Sequence, residues 1–380
     1  MEILPSFETQ LSLFVFCFFA CCALIQLVFT IYFFSRLAFT SFKKKHIKNI
    51  EQPPVSIIIA ARNDSDNLFA NLPLILEQDY PNFEVIVVNH QSIDESYHII
   101  NAYKMQYPHL RMIEVERSKH IGIGKKLPLT LGIKSALHEH LIFTDADCQP
   151  ESNLWLQGMV DGFSNNTQIV LGYGPYKEDK GFLNKVIRFD TIFIAMNYFS
   201  FALAKMPYMG VGRNLAYTKT AFKSVSGFKS HYSISSGDDD LFVQEATLLN
   251  SYTIQLNPET HCYSTPKNTW KSWIDQKSRH FSTAGKYQVI KKALLGIYPL
   301  SLILLWFSFV TLLLDTEYTI FSGCIFAGVI AIKWIIQGRC FAKLKGKKFL
   351  LSLPFFELFY ALLLPVLYYT SEKTRISKWK

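Results

Sequence analysis

Three short clusters in this 380-residue chain carry residue types suited to group-transfer chemistry. In Asp145-Ala146-Asp147 two carboxylates stand one residue apart, just after the apolar Leu141-Ile142-Phe143. At the mouth of a strand such a pair can share a hard divalent cation. That cation would neutralise a diphosphate and stabilise it as a leaving group. A solvated strand-end turn would read the same way. In Ser236-Gly237-Asp238-Asp239-Asp240-Leu241 three adjacent carboxylates repel one another, which raises some of their pKa values and invites a cation or a proton. One of them can act as general base toward an acceptor hydroxyl; the plainer use is an acidic helix N-terminus. In Gln276-Lys277-Ser278-Arg279-His280, preceded by Trp270 and Trp273, Arg279 can fork onto phosphate oxygens. The same segment could instead lie as a basic helix on lipid headgroups. Gly122-Ile123-Gly124-Lys125-Lys126 lacks the Walker spacing and the Ser/Thr after lysine, which excludes an ATPase phosphate loop.

The elements that must position these clusters alternate. Val55 to Ala60 is a continuous apolar run with β-branched residues, the pattern of a buried parallel strand. The pattern then predicts a helix over 66–76 capped by Ser65, a strand over 83–88, a helix from about 94 to 107, and a strand over 110–115. A helix over 125–139 and a strand at 141–143 complete the series. Such alternation predicts a parallel α/β sheet, in which ligands bind at the carboxyl ends of the strands. Every polar cluster in this half falls just after a strand. Phe182 to Ala204, rich in Phe, Ile and Met, predicts a helix lying on a membrane surface, with an ordinary buried helix as the alternative. Gly210-Val211-Gly212-Arg213-Asn214 reads as a tight turn.

The order of the pieces resembles the membrane-bound family 2 glycosyltransferases. It runs from strand Val55–Ala60 with Arg62-Asn63-Asp64, through a second strand whose polar turn ends in Asp94, to the three clusters above. The resemblance spans about residues 53–290 and the flanking apolar runs. It implies an α/β GT-A fold, a Rossmann-like nucleotide-sugar-binding domain, with a nucleotide-diphosphate sugar donor, a Mg²⁺ or Mn²⁺ ion, and inversion at the anomeric carbon. It also implies that Ala60, Arg62 and Asp64 lie near the base and ribose, that Asp145 approaches ribose and diphosphate, and that Asp147 holds the metal with Asp145. Gln276, Arg279 and His280 match the family's Gln-x-x-Arg-Trp, with His in place of Trp. That change alters the surface near the acceptor and weighs against a processive polymer channel. The family's Glu-Asp-x-Asp-Leu makes Asp238 the base and puts Gly237 where Glu is usual; a shift of one makes Asp239 the base. Where the family has an Asp-Asp turn, this chain has Asn89-His90. Asn89 can hydrogen-bond a uracil edge as donor and acceptor, so a UDP-sugar is the first expectation and a GDP-sugar the second. By resemblance the Gly210–Asn214 loop borders the acceptor.

Composition agrees with a membrane setting. The chain is 49% hydrophobic and 15% aromatic with 32 Phe, concentrated at its two ends. The net charge of +9 sits largely beside apolar runs, at Lys43, Lys44 and Lys45 and again at Arg339, Lys343, Lys345, Lys347 and Lys348. That placement fits a cytoplasmic membrane face. No RNA- or DNA-binding motif appears, so no nucleic-acid partner is expected. The seven cysteines lack paired spacing, which predicts reduced thiols and no zinc site. Leu11 to Ser35 carries no charge, is long enough to span, and is followed rather than preceded by basic residues; it predicts an uncleaved anchor. Ala293 to Leu314 predicts a second span, and Tyr318 to Gly338 a third in which Lys333 snorkels to the interface. Phe349 to Thr370, interrupted by Pro354 and Glu357, predicts either a fourth span or, slightly preferred, a re-entrant hairpin that returns the basic tail to the cytoplasm. The expected organisation is an anchor and basic linker at 1–50, a cytoplasmic catalytic domain at 51–290, and membrane or interfacial helices at 291–380. The expected setting is a bacterial inner membrane and the expected acceptor a lipid or lipid-linked saccharide. The alternatives are a subunit of a processive polysaccharide synthase and a non-catalytic scaffold.

Overall fold

The computed structural model describes residues 7–41, 52–118, 124–163, 166–234, 236–314 and 317–373. Lys43-Lys44-Lys45, Gly122, Ile123 and the basic tail residues Arg375, Lys378 and Lys380 lie outside the described residues. The chain divides into two compact units. One comprises Met1–Thr40, Ile192–Met206 and Gln288–Tyr369; the other comprises Ser41–Thr191, Pro207–Tyr287 and Thr370–Lys380.

The second unit is built on a seven-stranded sheet. Its strands are β1 (Val55–Ala61), β2 (Phe83–His90), β3 (Leu110–Val115), β4 (His140–Asp145), β6 (Ile169–Leu171), β7 (Leu215–Thr218) and β8 (Tyr252–Ile254), in the order β3-β2-β1-β4-β7-β6-β8. A separate two-stranded ribbon pairs β5 (Cys148–Pro150) with β9 (Cys262–Ser264). The first four strands are parallel, as their alternation with helices predicts: all of β1 is buried, flanked by β2 and β4. The all-parallel expectation stops there, because β7 runs antiparallel to β4 and β6 antiparallel to β7. The sheet is mixed, and the polarity changes beside the strand that delivers Asp145.

Two local expectations are corrected. The helix Ser65–Leu76 begins at Ser65 instead of being capped by it; the Ser65 amide donates to Asp94 Oδ2 at 2.9 Å. The helix expected to reach residue 139 ends at Ser135. Beyond it the Leu137 amide donates to Glu84 Oε1 at 2.6 Å and the His138 amide to Ser56 Oγ at 3.2 Å. The first bond reaches the buried Glu84 directly and the second reaches Ser56, which itself donates to Glu84 Oε1 at 2.6 Å.

The first unit is helical. Phe7–Val28 continues through a π-turn at Phe29–Phe34 into Ser35–Phe39, and the other long helices are Val289–Leu312, Thr319–Lys343 and Leu353–Lys373. With Phe182–Leu203, these make five helices long and apolar enough to cross a membrane among the described residues. Phe182–Leu203 does not present the free apolar face expected of a surface helix: Val186, Phe189, Met196, Phe199 and Phe201 are all buried. Leu353–Lys373 is one helix, not a hairpin, because Pro365 interrupts no more than its local hydrogen bonding. Lys333 does not snorkel. It is 2% exposed, 3.2 Å from Glu357, and also donates to Gln26 Oε1. Gln337 Nε2 donates to Glu357 Oε1 at 2.9 Å, and the Tyr298 hydroxyl donates to the same oxygen. The two residues that spoil the apolar pattern of their segments are each other's partners, which is how charges persist in an apolar interior.

Candidate functional site

At the carboxyl edge of the parallel strands lies a cleft contained within the second unit. It is lined by Ala60, Asp64, Lys125, Asp145, Ala146, Asp147, Val211, Gly212, Arg213, Ser236, Asp238, Asp239, Lys267, Gln276, Arg279 and His280. All three clusters singled out in the sequence therefore meet in one place. Asp145 ends β4, and Asp147 precedes β5. The ligand atoms of Asp145, Asp147 and Cys148 lie within 4.8 Å of one another, so the acidic pair has the spacing to hold one cation. Burial pushes the Cys148 thiol well up, with Cys262 adding to the effect, which makes it a poor metal ligand.

The Asp238-Asp239-Asp240 run resolves into three different jobs. Asp239 caps the helix Asp240–Ala246: its Oδ1 accepts from the Asp240 amide at 2.8 Å and its Oδ2 from the Gly212 amide at 2.9 Å. Asp240 is 6% exposed and accepts from the Leu241 amide at 2.7 Å, the Tyr287 hydroxyl at 2.8 Å and the Thr283 hydroxyl. Burial, then Asp239, push its carboxyl up to about 7. Asp238 faces the cleft, where burial and then Asp239 push it up to about 6 against the pull of Lys125. Gly237 stands at φ +101°, a region L side chains rarely adopt, and a Cβ there would meet Leu241 Cδ1 at 2.8 Å. The backbone thus accounts for the glycine where the resembling family has glutamate.

Lys125, dismissed with its glycine-rich stretch, enters the site by forming an ion pair with Asp145. Burial acts to lower its pKa, but Asp145, Asp238 and Asp239 raise it overall, so it is a fixed cation. Its neighbour Lys126 is buried and donates to the carbonyls of His231 at 2.5 Å and Ile234 at 2.8 Å, holding the segment that leads to Gly237. Only context distinguishes this stretch from a failed phosphate loop.

The helix Trp270–Ala284 brings Gln276, Arg279 and His280 to the cleft at helical spacing. Two buried ties set its rotation. Lys277 Nζ lies 2.7 Å from Asp190, and Trp273 is 1% exposed. Gln276 Nε2 donates to the Tyr176 hydroxyl at 2.8 Å.

Ala60 and Asp64 line the cleft as expected; Arg62 and Asn89 are not among its lining residues. Asn89 is 1% exposed, donates to Glu114 Oε2 at 2.8 Å and accepts from Ser92 Oγ at 2.6 Å. Its amide braces the turn between two strand ends instead of offering both edges to a base.

An α/β sheet with an acidic pair, a cleft-facing carboxylate and cationic side chains at the strand ends suits an anionic substrate. Residues 56–224 match the family described as glycosyl transferase family 2, and residues 152–370 match glycosyl transferase family group 2. The chain belongs to the family 2 glycosyltransferases. It is 25% identical over 251 residues to a probable glycosyltransferase, YdaM, of Bacillus subtilis, covering 63% of this chain and 57% of the relative. It is 24% identical over 249 residues to a poly-β-1,6-N-acetyl-D-glucosamine synthase of Staphylococcus epidermidis, with the same coverage of 63% and 57%. The chain thus spans just over half the length of these relatives. Among solved structures, a mannosyltransferase of Pyrobaculum calidifontis in complex with GDP-Man and Mn²⁺ superposes with a TM-score of 0.56 at 17% identity, covering 88% of this chain and 97% of that one. That likeness bears on the fold, which is GT-A.

Proposed function

We propose that this chain is an inverting glycosyltransferase that moves a sugar from a nucleotide-diphosphate donor to a hydroxyl of a lipid or lipid-linked glycan at the cytoplasmic face of a bacterial cell membrane. Residues 51–290 form its catalytic domain, with 1–50 as anchor and 291–380 as membrane helices. The observation that carries the reading is that Asp145, Asp147, Asp238 and Lys125 line one cleft, with Lys125 paired to Asp145. Asp145 and Asp147 would hold a Mg²⁺ or Mn²⁺ ion, which supplies charge neutralisation to the departing diphosphate. Arg279 forks onto the same group from the helix Trp270–Ala284. Asp238 accepts the proton of the acceptor hydroxyl while that oxygen bonds to the anomeric carbon. The bond from that carbon to the diphosphate oxygen breaks, and the nucleoside diphosphate leaves with the electron pair. One displacement inverts the anomeric configuration.

The relatives' names fit this reading: one is a synthase of a hexosamine polymer, and the mannosyltransferase was solved with GDP-Man and Mn²⁺. Five apolar helices suit an acceptor that is itself held in a membrane. The test incubates purified full-length protein with labelled UDP- and GDP-sugars, native membrane lipids and Mn²⁺ or Mg²⁺. Transfer to a lipid-extractable product is expected, abolished by EDTA and by Asp147→Asn. Undiminished transfer by Asp147→Asn in chelator would remove the metal assignment, and no turnover or binding of any nucleotide sugar would remove the reading.

A further inference from the structure

Arg213 is the cleft residue with the most construction around it and no assigned task. It sits in a short 3₁₀ turn, Gly212–Asn214, whose backbone is fixed from several sides. Thr144, the residue before Asp145, donates its hydroxyl to the Arg213 carbonyl at 3.0 Å. Asn214 is fully buried; its amide donates to the Tyr173 and Thr260 carbonyls at 2.7 and 2.8 Å and accepts from Trp155 Nε1 at 3.0 Å. The guanidinium carbon lies 4.5 Å over the Tyr176 ring. Its other side passes Gly174, where a Cβ would come within 2.5 Å of Arg213 Nε. An arginine stem is thus threaded between an aromatic face and a glycine, and its planar fork is held in one orientation.

Its side chain hydrogen-bonds Tyr176, but no carboxylate forms an ion pair with it among the described residues. Lys125 is paired with Asp145, whereas the buried Nε of Arg213 has no hydrogen-bond partner among those residues. Its electrostatic neighbours include Tyr176, Cys148 and Asp145, and it lines the same cleft as Asp147. An anion drawn to a cation on Asp145 and Asp147 would share the cleft with this guanidinium.

Resting on the donor reading above, we infer that Arg213 is a second diphosphate-binding residue, which receives the phosphate oxygens of the nucleotide beside the acidic pair and stabilises them as they depart. The Tyr176 stack and the Gly174 gap exist to aim it. Tyr176 also accepts from Gln276, so one ring orients a donor from each side of the cleft.

The test measures binding of UDP, GDP, UMP and GMP to the full-length protein at fixed Mn²⁺, for wild type, Arg213→Met, Arg213→Lys and Gly174→Ala, with thermal melting as the folding control. The expected result is a loss of nucleoside diphosphate affinity in Arg213→Met of about 10- to 100-fold, the scale of lost charge-assisted hydrogen bonds. Monophosphate affinity should move by no more than about 2-fold, because a single phosphate loses fewer such bonds. Arg213→Lys keeps the charge without the fork and should fall between. Gly174→Ala leaves every charge in place and only displaces the guanidinium, so a smaller loss confined to diphosphates supports the assignment even if Arg213→Met folds poorly. Wild-type diphosphate affinity in both Arg213→Met and Gly174→Ala overturns it. An equal loss for mono- and diphosphates also overturns it, since that is the signature of a structural residue. If the wild type binds neither UDP nor GDP, it is the donor reading itself that fails.

Discussion

Lys125 with Asp145 at the end of β4, and Lys333 with Glu357 among the apolar helices, are both lysine–carboxylate pairs, and their surroundings differ. Around Lys333 the polar groups close on themselves: Gln26, Tyr298 and Gln337 supply partners to both charges, and both residues are at most 3% exposed. Around Lys125 the groups remain open. Asp147, Asp238, Arg213 and Arg279 line one cleft beside the Lys125–Asp145 pair. A closed network specifies one packing arrangement, and its loss is felt in stability. An open one holds charge in reserve for a ligand, and its loss is felt in chemistry.

The largest separation of the two should come from Asp238→Asn. This change keeps the shape and removes the basicity, so transfer should fall by about 10²–10⁴-fold while nucleotide-sugar affinity stays near wild type. Labelled-donor kinetics beside equilibrium binding would check it. Asp239→Asn should be milder, since its carboxylate serves as a cap; if it proves the inactive variant, the base lies one residue on.

In the helical unit the order reverses. Glu357→Gln leaves Lys333 without its counter-ion, and breaking a buried pair in this way costs about 3–5 kcal/mol. The melting temperature in detergent should drop with nucleotide affinity unchanged, and Lys333→Met with Glu357→Leu should recover most of the loss. A double variant as unstable as the single one would mean the network does more than satisfy itself.

Gly237→Ala should cost about 1–3 kcal/mol, because its φ of +101° is strained for any side chain. The denaturation midpoint reports it. A cost near zero would mean the turn before Asp238 relaxes freely.

The smallest effect is that of pH. Asp238, pushed up to about 6, must be deprotonated to act. The value of kcat/KM should therefore hold above that point and fall about tenfold per unit below it, with an apparent pKa that belongs to the coupled aspartates. A flat profile down to pH 5 would detach Asp238 from the proton transfer.

How far the site was legible in advance followed from how local its signals are. Strands β1, β2 and β4 announce themselves by runs of apolar residues, and β3 by its place in the alternation. The strands β6, β7 and β8 are three or four residues long and owe their place to pairing partners far away in the chain. For that reason the antiparallel half of the sheet went unread. Asp145, Asp147, Asp238, Gln276 and Arg279 were found because carboxylates and arginine at fixed spacing are conspicuous. Lys125 and Arg213 were passed over because a lysine beside glycines and an arginine in a tight turn mean little until Asp145 and Tyr176 are placed against them. Asn89 shows the same limit: its two hydrogen-bonding ends suggest a base edge, whereas in the fold Glu114 and Ser92 occupy them.

By itself, then, the sequence determined what depends on periodicity and residue type: the apolar helices, the parallel core strands and the acidic clusters at strand ends. Tertiary structure decided what depends on partners. It turned Asp240 away from the cleft that Asp238 and Asp239 line, made Gly237 irreplaceable by glutamate without strain, and let Lys333 and Glu357 neutralise each other. The reason is physical. Hydrophobic patterning acts over a few residues of chain, whereas the state of a charge is set by whatever folding brings within a few ångströms of it.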